Sequence, residues 1–234
     1  MVATNLIKKN SFVFAFFFTS GLVFSQKSII KIDKSPYAKL HSVGLDKVSI
    51  TGGFWKNRQE INRNVSLEIL WDRATNEEYG YSLSNFEIAA GLKEGTQQGV
   101  PWQDAWMYKW IETASYEYAS TGDEKLLERI DEVVPVIAKA QADDGYIATQ
   151  VQAGKFNKRW MGPSNHELYN MGHLLTAAAV NYRMTSQTGL LDVANKAAAF
   201  CLKQFREHPE IMWEYPLNPL IIMGAVELYR ATGN

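Results

Sequence analysis

The sequence predicts an all-α fold built from repeated helical hairpins. One sequence pattern occurs three times, and it reads as the end of one helix, a break at a threonine and the start of the next helix. In addition, long stretches place apolar residues at helical spacing. We refer to this recurring pattern as the phrase. The phrase is anchored at Thr121, Thr185 and Thr232, which lie 64 and 47 residues apart. Such spacings fit one α/α hairpin with its connections, which is typical of a toroid or a solenoid. Because the third copy ends at Asn234, where a second helix should begin, we expect an incomplete toroid.

The first 25 residues read as a signal peptide. Lys8 and Lys9 precede an apolar run over residues 12–24, and the small residues Val23 and Ser25 suit cleavage before Gln26. The run is shorter than the ~20 residues that cross a bilayer, so we expect no stable membrane insertion, although an uncleaved anchor is the alternative. The mature chain is therefore expected to be exported, either periplasmic or secreted.

Composition excludes some classes of partner and site. The net charge of −1 contains no basic excess, which argues against nucleic acid. The single cysteine, Cys201, lies on an apolar helix face and is predicted to be a core thiol. His166 and His173 are seven residues apart, a rise of ~10.5 Å that is too long for one zinc ion. We therefore expect no metal or other cofactor in this segment.

Helices are predicted in chain order after a polar lead-in over residues 26–47 and a short strand at residues 48–50. The first helix is expected to bury one apolar face, made of Ile61, Val65, Ile69 and Leu70. The helices are predicted over residues 54–73, 85–91, 102–120, 124–141, 166–183, 190–207 and 219–231.

Capping and breaking residues set several of these limits. Pro101 suits the start of the third helix, where its missing N–H costs nothing. Asp123 is predicted to cap the fourth helix, which Pro135 should kink or divide. No linker suggests a second domain within residues 48–234.

The most informative local site is the start of the fifth helix. Ser164 and Glu167 have the spacing of a capping box, which would place His166 in the first turn at the mouth of the toroid. His173 lies two turns further along and faces roughly the same way. His166 is therefore a candidate sugar ligand, and His173 is either a second ligand or a buried core histidine.

Two other groups could bind a sugar. Asp144 and Tyr146 flank a glycine turn, so the carboxylate could bond hydroxyls while the ring stacks on a sugar face; an ordinary turn is equally compatible. Trp106 belongs to a group of polar and aromatic residues at a helix entrance. Lys109 and Glu112 follow at a spacing typical of a surface ion pair.

These phrases, in this order, resemble the catalytic domain of glycoside hydrolase family 127, the β-L-arabinofuranosidase-like proteins. The resemblance covers roughly residues 45–234 and is most specific where Asp144-Gly145-Tyr146 precedes the His166-to-Leu174 phrase. The other matching pieces are Gly53-Phe54-Trp55 with Arg58, Asn85-Phe86, Tyr108 to Glu112, Arg159-Trp160 and Met223 to Tyr229.

The resemblance implies an (α/α)6 barrel, of which residues 48–234 would be the N-terminal portion. It implies removal of L-arabinofuranose from plant-type glycans with retention of configuration, by a cysteine nucleophile at a zinc site and a separate glutamate acid/base. Those residues are expected beyond Asn234, so no catalytic residue is assigned here. Zinc is expected only in the full-length protein, and this chain alone is expected to be inactive. By resemblance, His166 is the best candidate for a contact to a sugar hydroxyl.

One departure bears on substrate choice. Family members often carry Asp-Ser-Asp before the Tyr-Lys-Trp phrase, whereas this chain has Asp104-Ala105-Trp106. An indole in place of the second carboxylate suggests altered specificity. Two alternatives stay open from the sequence: an α/α-toroid polysaccharide lyase or unsaturated-uronyl hydrolase, and a non-catalytic glycan-binding protein.

Overall fold

The structure, a computed structural model, describes residues 27–32, 35–214 and 218–234, and the regular secondary structure of this part of the chain is helical. The helices are α1 Gly53–Ile61, α2 Leu67–Thr75, α3 Ser82–Ala89, α4 Asp104–Thr121, α5 Glu124–Ala140, α6 Thr149–Gln152, α7 Glu167–Thr185, α8 Gly189–Glu207, α9 Pro209–Met212 and α10 Leu220–Thr232. The predicted all-α class is confirmed. The strand expected at residues 48–50 is wrong, because within the described ranges the one β-pairing is an isolated bridge between Ser28 and Gly44.

The long helices form two layers. Helix α7 packs between α4 and α10, while α5 and α8 pack against each other and against α4 and α7 respectively. Consecutive helices therefore alternate between the layers, which is the architecture of an α/α toroid. The core lies between the layers, and its largest fully buried side chains include Trp110, Tyr108, Tyr146, Phe86 and Met107.

Helices α1 and α2 are joined through a π-helical segment, Asn62–Ser66, so the predicted single helix is confirmed in extent. Its predicted core face is wrong, because Ile61, Val65, Ile69 and Leu70 are each about half exposed. The buried residues of α2 are instead Leu67 and Ala74. The four residues are exposed to a similar extent on both sides of the π-helical segment, so the described residues leave this apolar face uncovered.

The repeated phrase lies at helix ends, but the residue that ends the helix differs between its copies. Gly122 and Gly233 follow α4 and α10 in the left-handed conformation that glycine adopts without strain. After α7 that conformation falls on Ser186, and Gly189 instead begins α8. The predicted cap of α5 is confirmed, since Asp123 accepts a bond from the Lys125 amide at 3.2 Å.

Helices α7 and α10 meet at two glycines. A Cβ atom built on Gly172 would lie 2.7 Å from the Ile221 nitrogen, and one on Gly224 would lie 2.5 Å from the Gly172 carbonyl oxygen. Both distances are below van der Waals contact, so no side chain fits between the two backbones. The third phrase therefore holds α10 directly against α7.

The lead-in is attached to α7 through Arg183. The Leu45 amide donates to the Lys27 carbonyl at 2.8 Å, which closes the lead-in on itself. Arg183, which is almost fully buried in α7, donates to the Ile29 carbonyl at 2.9 Å and pairs with Glu227 of α10 at 3.0 Å. Ile29 is thus bound to the C-terminal end of α7.

The predicted signal peptide, residues 1–25, lies outside the described residues. In the part of the chain that the structure does describe, no helix combines the length and the apolar composition that a bilayer span requires.

Candidate functional site

A small cavity lies at the N-terminal end of α7. Its volume is about 190 Å³, and it is lined by Trp102, His166, Tyr169 and Asn218. The His166 ring lies 4.8 Å from the Trp102 ring and 5.6 Å from the Tyr169 ring, centroid to centroid. The cavity is therefore a row of three rings with one amide at its edge, and we refer to it as the His166 cavity.

The backbone fixes the position of His166. This residue precedes α7 in the left-handed region, with φ 59° and ψ 23°, which is uncommon for a residue other than glycine. Its Nδ1–H donates to the Ser164 carbonyl oxygen at 2.5 Å. In a neutral imidazole that donates from Nδ1, Nε2 is an acceptor that a sugar hydroxyl can use.

The predicted capping box is wrong. Helix α7 begins at Glu167, not His166, and no side chain caps it. Glu167 is fully buried; its carboxylate accepts bonds from the Tyr146 hydroxyl at 2.5 Å and from the Trp160 amide at 3.1 Å. Burial raises the pKa of Glu167, and the bonds from Tyr146 and Trp160 oppose that rise. The carboxylate therefore joins α7 to two connections instead of closing its own first turn.

The Asp144–Tyr146 turn does not present a stacking surface. The Tyr146 ring is buried, and the Arg159 guanidinium lies 3.9 Å from its centroid. Asp144 is exposed but forms a two-bond ion pair with Arg159, and this pairing lowers the pKa of the carboxyl group. The predicted stacking of a sugar on Tyr146 does not fit this arrangement, because Arg159 and Glu167 occupy the ring's face and its hydroxyl.

A second row of polar groups continues from the cavity along α7 and α4. Lys109 donates to the Tyr169 hydroxyl at 2.7 Å, and the His173 ring meets Tyr169 edge-on at 4.7 Å. The expected surface pair of Lys109 with Glu112 is wrong, because the ammonium points to α7 instead.

His173 is partly buried and neutral near pH 7. Desolvation, with a smaller contribution from the Lys109 charge, lowers the pKa of His173 to about 4. Its Nδ1 atom is buried without a hydrogen-bond partner among the described residues. Because buried polar atoms are nearly always paired, this buried imidazole nitrogen marks a place for a bound water.

Trp106 lies in a different cavity from His166. That cavity, of about 410 Å³, is lined by Leu70, Arg73, Trp106, Lys109, Trp110 and Thr113. Lys109 belongs to this lining and also bonds Tyr169 of the His166 cavity, so the two are neighbours. Of the predicted site residues, the structure thus brings His166 and His173 together through Tyr169 and places Trp106 in the neighbouring cavity. Asp144 and Tyr146 line neither cavity.

Two residues of the His166 cavity were missed by sequence reasoning. Tyr169 could have been found, because it lies four residues before His173 on the same helix face. Asn218 could not, because it is 52 residues from His166 in a proline-rich connection with no periodic pattern.

Metal ligands do not gather anywhere in the described ranges: no group of three or more His, Cys, Asp or Glu side chains could hold an ion. Cys201 is a buried thiol, as predicted, with Sγ 3.3 Å from the Met171 sulfur. Burial raises the pKa of Cys201 to about 12, so it stays protonated at neutral pH. These residues do not fit the zinc-bound thiolate that the family resemblance implies.

Comparison with known proteins decides the family. A family model described as "Beta-L-arabinofuranosidase, GH127 catalytic domain" matches residues 47–234. The chain belongs to this family. The resemblance inferred from the sequence is confirmed, and membership among the glycoside hydrolases argues against the lyase alternative.

Individual relatives agree with the family match. A "Non-reducing end beta-L-arabinofuranosidase" from Bifidobacterium longum subsp. longum is 30% identical over 207 residues, covering 80% of this chain and 32% of the relative. The crystal structure of a GH127 β-L-arabinofuranosidase from Geobacillus stearothermophilus T6 is 31% identical with a TM-score of 0.74, covering 80% of this chain and 30% of that one. A further GH127 β-arabinofuranosidase is 30% identical with a TM-score of 0.69, over 81% and 31% of the two chains. This GH127 chain thus spans about a third of the length of these relatives.

Proposed function

We propose that this GH127 chain forms a sugar-binding wall of an exported, retaining glycoside hydrolase that acts on L-arabinofuranose in plant-type glycans. The observation that carries the proposal is the His166 cavity. In a chain of this family, it combines three rings with the Nε2 atom of His166, which can accept a hydrogen bond. A volume of about 190 Å³ is below the range of pockets for larger ligands, so it suits one monosaccharide unit.

The three rings of the cavity have distinct parts in binding. The Trp102 ring offers an apolar face for the C–H groups of the sugar, and the Asn170 side chain holds the adjoining loop by donating to the Pro101 carbonyl at 2.9 Å. His166 accepts one hydroxyl hydrogen bond at Nε2. Tyr169 is oriented by Lys109, which leaves the phenol oxygen able to accept a second hydroxyl.

His173 provides a neutral group deeper along α7. Its lowered pKa means that the imidazole does not repel the nearby Lys109 ammonium at neutral pH. The buried Nδ1 atom is suited to a water that bridges to the sugar. These groups bind and orient the sugar. We propose that the nucleophile, the acid/base and the zinc ligands of the full-length enzyme are residues other than those described.

Sugar binding by the chain tests the proposal directly. Methyl β-L-arabinofuranoside is titrated into the protein while the indole and imidazole resonances are followed by NMR. We expect saturable shifts at Trp102 and His166 and a loss of affinity in His166→Ala of about 1–3 kcal/mol, the cost of leaving a hydroxyl bond unmade. His208→Ala is the matched control, because His208 is exposed at the end of α8.

Melting curves separate binding from folding. His166→Ala should change the melting temperature little, whereas His173→Ala, which removes a partly buried ring, should lower it more. Unchanged affinity together with a lowered melting point in His166→Ala would make His166 structural and would overturn the proposal.

A glycan-binding protein without activity would give the same titration. Release of arabinose by the full-length protein distinguishes the two, since only the hydrolase liberates free sugar. Binding without release by that protein would favour the non-catalytic alternative.

A further inference from the structure

The cavity around Trp106 carries features that the arabinofuranose site does not explain. It lies between α2 and α4, has a volume of about 410 Å³, and combines two indoles with two cationic side chains. We refer to it as the Trp106 cavity.

The aromatic part of the Trp106 cavity is fixed in place. Trp110 is buried, donates from its indole to the Leu67 carbonyl at 3.2 Å, and packs on Trp71 with centroids 4.4 Å apart. Trp106, one turn earlier on α4, leaves 36% of its surface open. An exposed indole on a rigid floor is a surface on which the C–H face of a sugar ring can pack.

The two cationic side chains of the cavity contact aromatic residues. Arg73 lies over the Tyr79 ring at 5.2 Å, and Lys109 bonds the Tyr169 hydroxyl; within the described residues neither makes an ion pair with a carboxylate. Five other arginines pair with carboxylates, among them Arg129 with Glu68 and Arg183 with Glu227. Two unpaired cations on one cavity select a ligand that brings its own negative charge.

We propose that the Trp106 cavity binds an acidic sugar unit, a uronate, of the same glycan. Its carboxylate pairs with Arg73 and Lys109, and its apolar face packs on Trp106. The assignment deepens the proposed function and rests on it in one respect: Lys109 also bonds Tyr169, so the uronate would lie next to the sugar held in the His166 cavity. The substrate class is then an arabinofuranose-bearing acidic glycan.

The test compares two probes that differ in one group. Methyl α-D-galacturonoside and methyl α-D-galactoside differ only in the carboxylate at C6, and each is titrated while the Trp106 indole N–H resonance is followed. Charge-assisted bonds to two cations predict that the uronate binds about tenfold more tightly than the neutral sugar. The preference should shrink as ionic strength rises, because both cations are partly exposed.

Variants assign the preference to the cavity. Arg73→Gln should remove most of the difference between the probes while the neutral sugar binds as before, and Trp106→Ala should weaken both. Arg206→Gln is the matched control: it removes the same charge from an exposed position on α8 and should leave both affinities unchanged.

Each other result overturns the assignment. Equal affinity for the two probes would show that the cations do not contribute to binding. Full affinity in Trp106→Ala would show that the sugars do not bind in the Trp106 cavity. An indole resonance that responds to neither sugar would show that another segment covers it. The failures are distinguishable: loss of arabinofuranoside binding alone contradicts the proposed function, whereas loss of uronate binding alone contradicts only this inference.

Discussion

The Tyr146 hydroxyl donates a 2.5 Å hydrogen bond to the carboxylate of Glu167 inside the protein. The two residues are 21 positions apart, and their bond fastens the turn after α5 to the first turn of α7. Glu167 also accepts from the Trp160 amide, so one carboxylate fixes both ends of the connection that leads to His166.

Removing this bond should destabilise the protein. Tyr146→Phe leaves the buried Glu167 carboxylate with one partner fewer, which costs about 1–3 kcal/mol and lowers the melting temperature. Tyr37→Phe is the control, because the Tyr37 ring is 88% exposed. Equal melting temperatures for Tyr146→Phe and the parent protein would contradict the structural role given to the bond.

Asp104 should make stability depend on pH. Its carboxylate is buried and accepts bonds from the amide and hydroxyl of Thr149, yet burial raises the pKa of Asp104 to about 6, from 3.8. The folded state therefore binds the proton more tightly than the unfolded state. The stabilisation is full below about pH 4 and is lost as pH rises through 6, with a total on the order of 3 kcal/mol.

Urea unfolding from pH 4 to pH 8 measures this effect. The Asp104→Asn variant removes the titration, so the parent protein should lose stability relative to the variant as pH rises across the window. Asp143→Asn, at an exposed position, controls for the loss of one surface charge. A difference between parent and Asp104→Asn that stays constant with pH would show that Asp104 does not titrate in this range.

His173 should remain neutral well below pH 6. Burial lowers its pKa to about 4, so the folded state resists protonation that the unfolded state accepts. The resulting stabilisation is present above about pH 6.5 and is lost as pH falls towards 4. An NMR titration of the imidazole resonances checks this, and a measured pKa at or above 6 would contradict it.

The contact of α7 with α10 should not tolerate a methyl group. Gly224→Ala places Cβ 2.5 Å from the Gly172 carbonyl oxygen, so the helices must separate at a cost of about 1–3 kcal/mol. Gly52→Ala is the control, because a Cβ there meets no atom within 4 Å. Chemical denaturation of both variants tests the contact, and equal stability would mean that the helices adjust freely.

Cleavage before Gln26 is a separate prediction, made from the sequence of residues 1–25. N-terminal mass spectrometry of protein secreted by an expressing cell should find a chain that begins at Gln26. A mature chain that retains residues 12–24 would show an uncleaved anchor. Lys27 is bonded to Leu45 and Ile29 to Arg183 of α7, so a cut further along would also remove stabilising contacts.

Local patterns were sufficient to predict most of the fold. Apolar spacing and the recurring threonine phrase predicted α4, α5, α7, α8 and α10 to within about two residues, because each depends on its own helical period and on the residues at its ends. The errors arose where the outcome depends on distant partners. Among the described residues, nothing covers the apolar face of the first helix, and no strand pairs with residues 48–50.

The sequence by itself determined the helical class, the family, the buried Cys201 and the position of His166 at the start of α7. Each follows from neighbouring residues or from a contiguous phrase. Only the tertiary structure decided which groups share a cavity: it placed Asn218 and Trp102 beside His166, and it turned Glu167 inward to Tyr146. It also placed Arg73 and Lys109 around Trp106 without a carboxylate partner among the described residues. Those relationships join residues about 20 to 70 positions apart, and their burial and charge pairing depend on how whole helices pack, which no local pattern records.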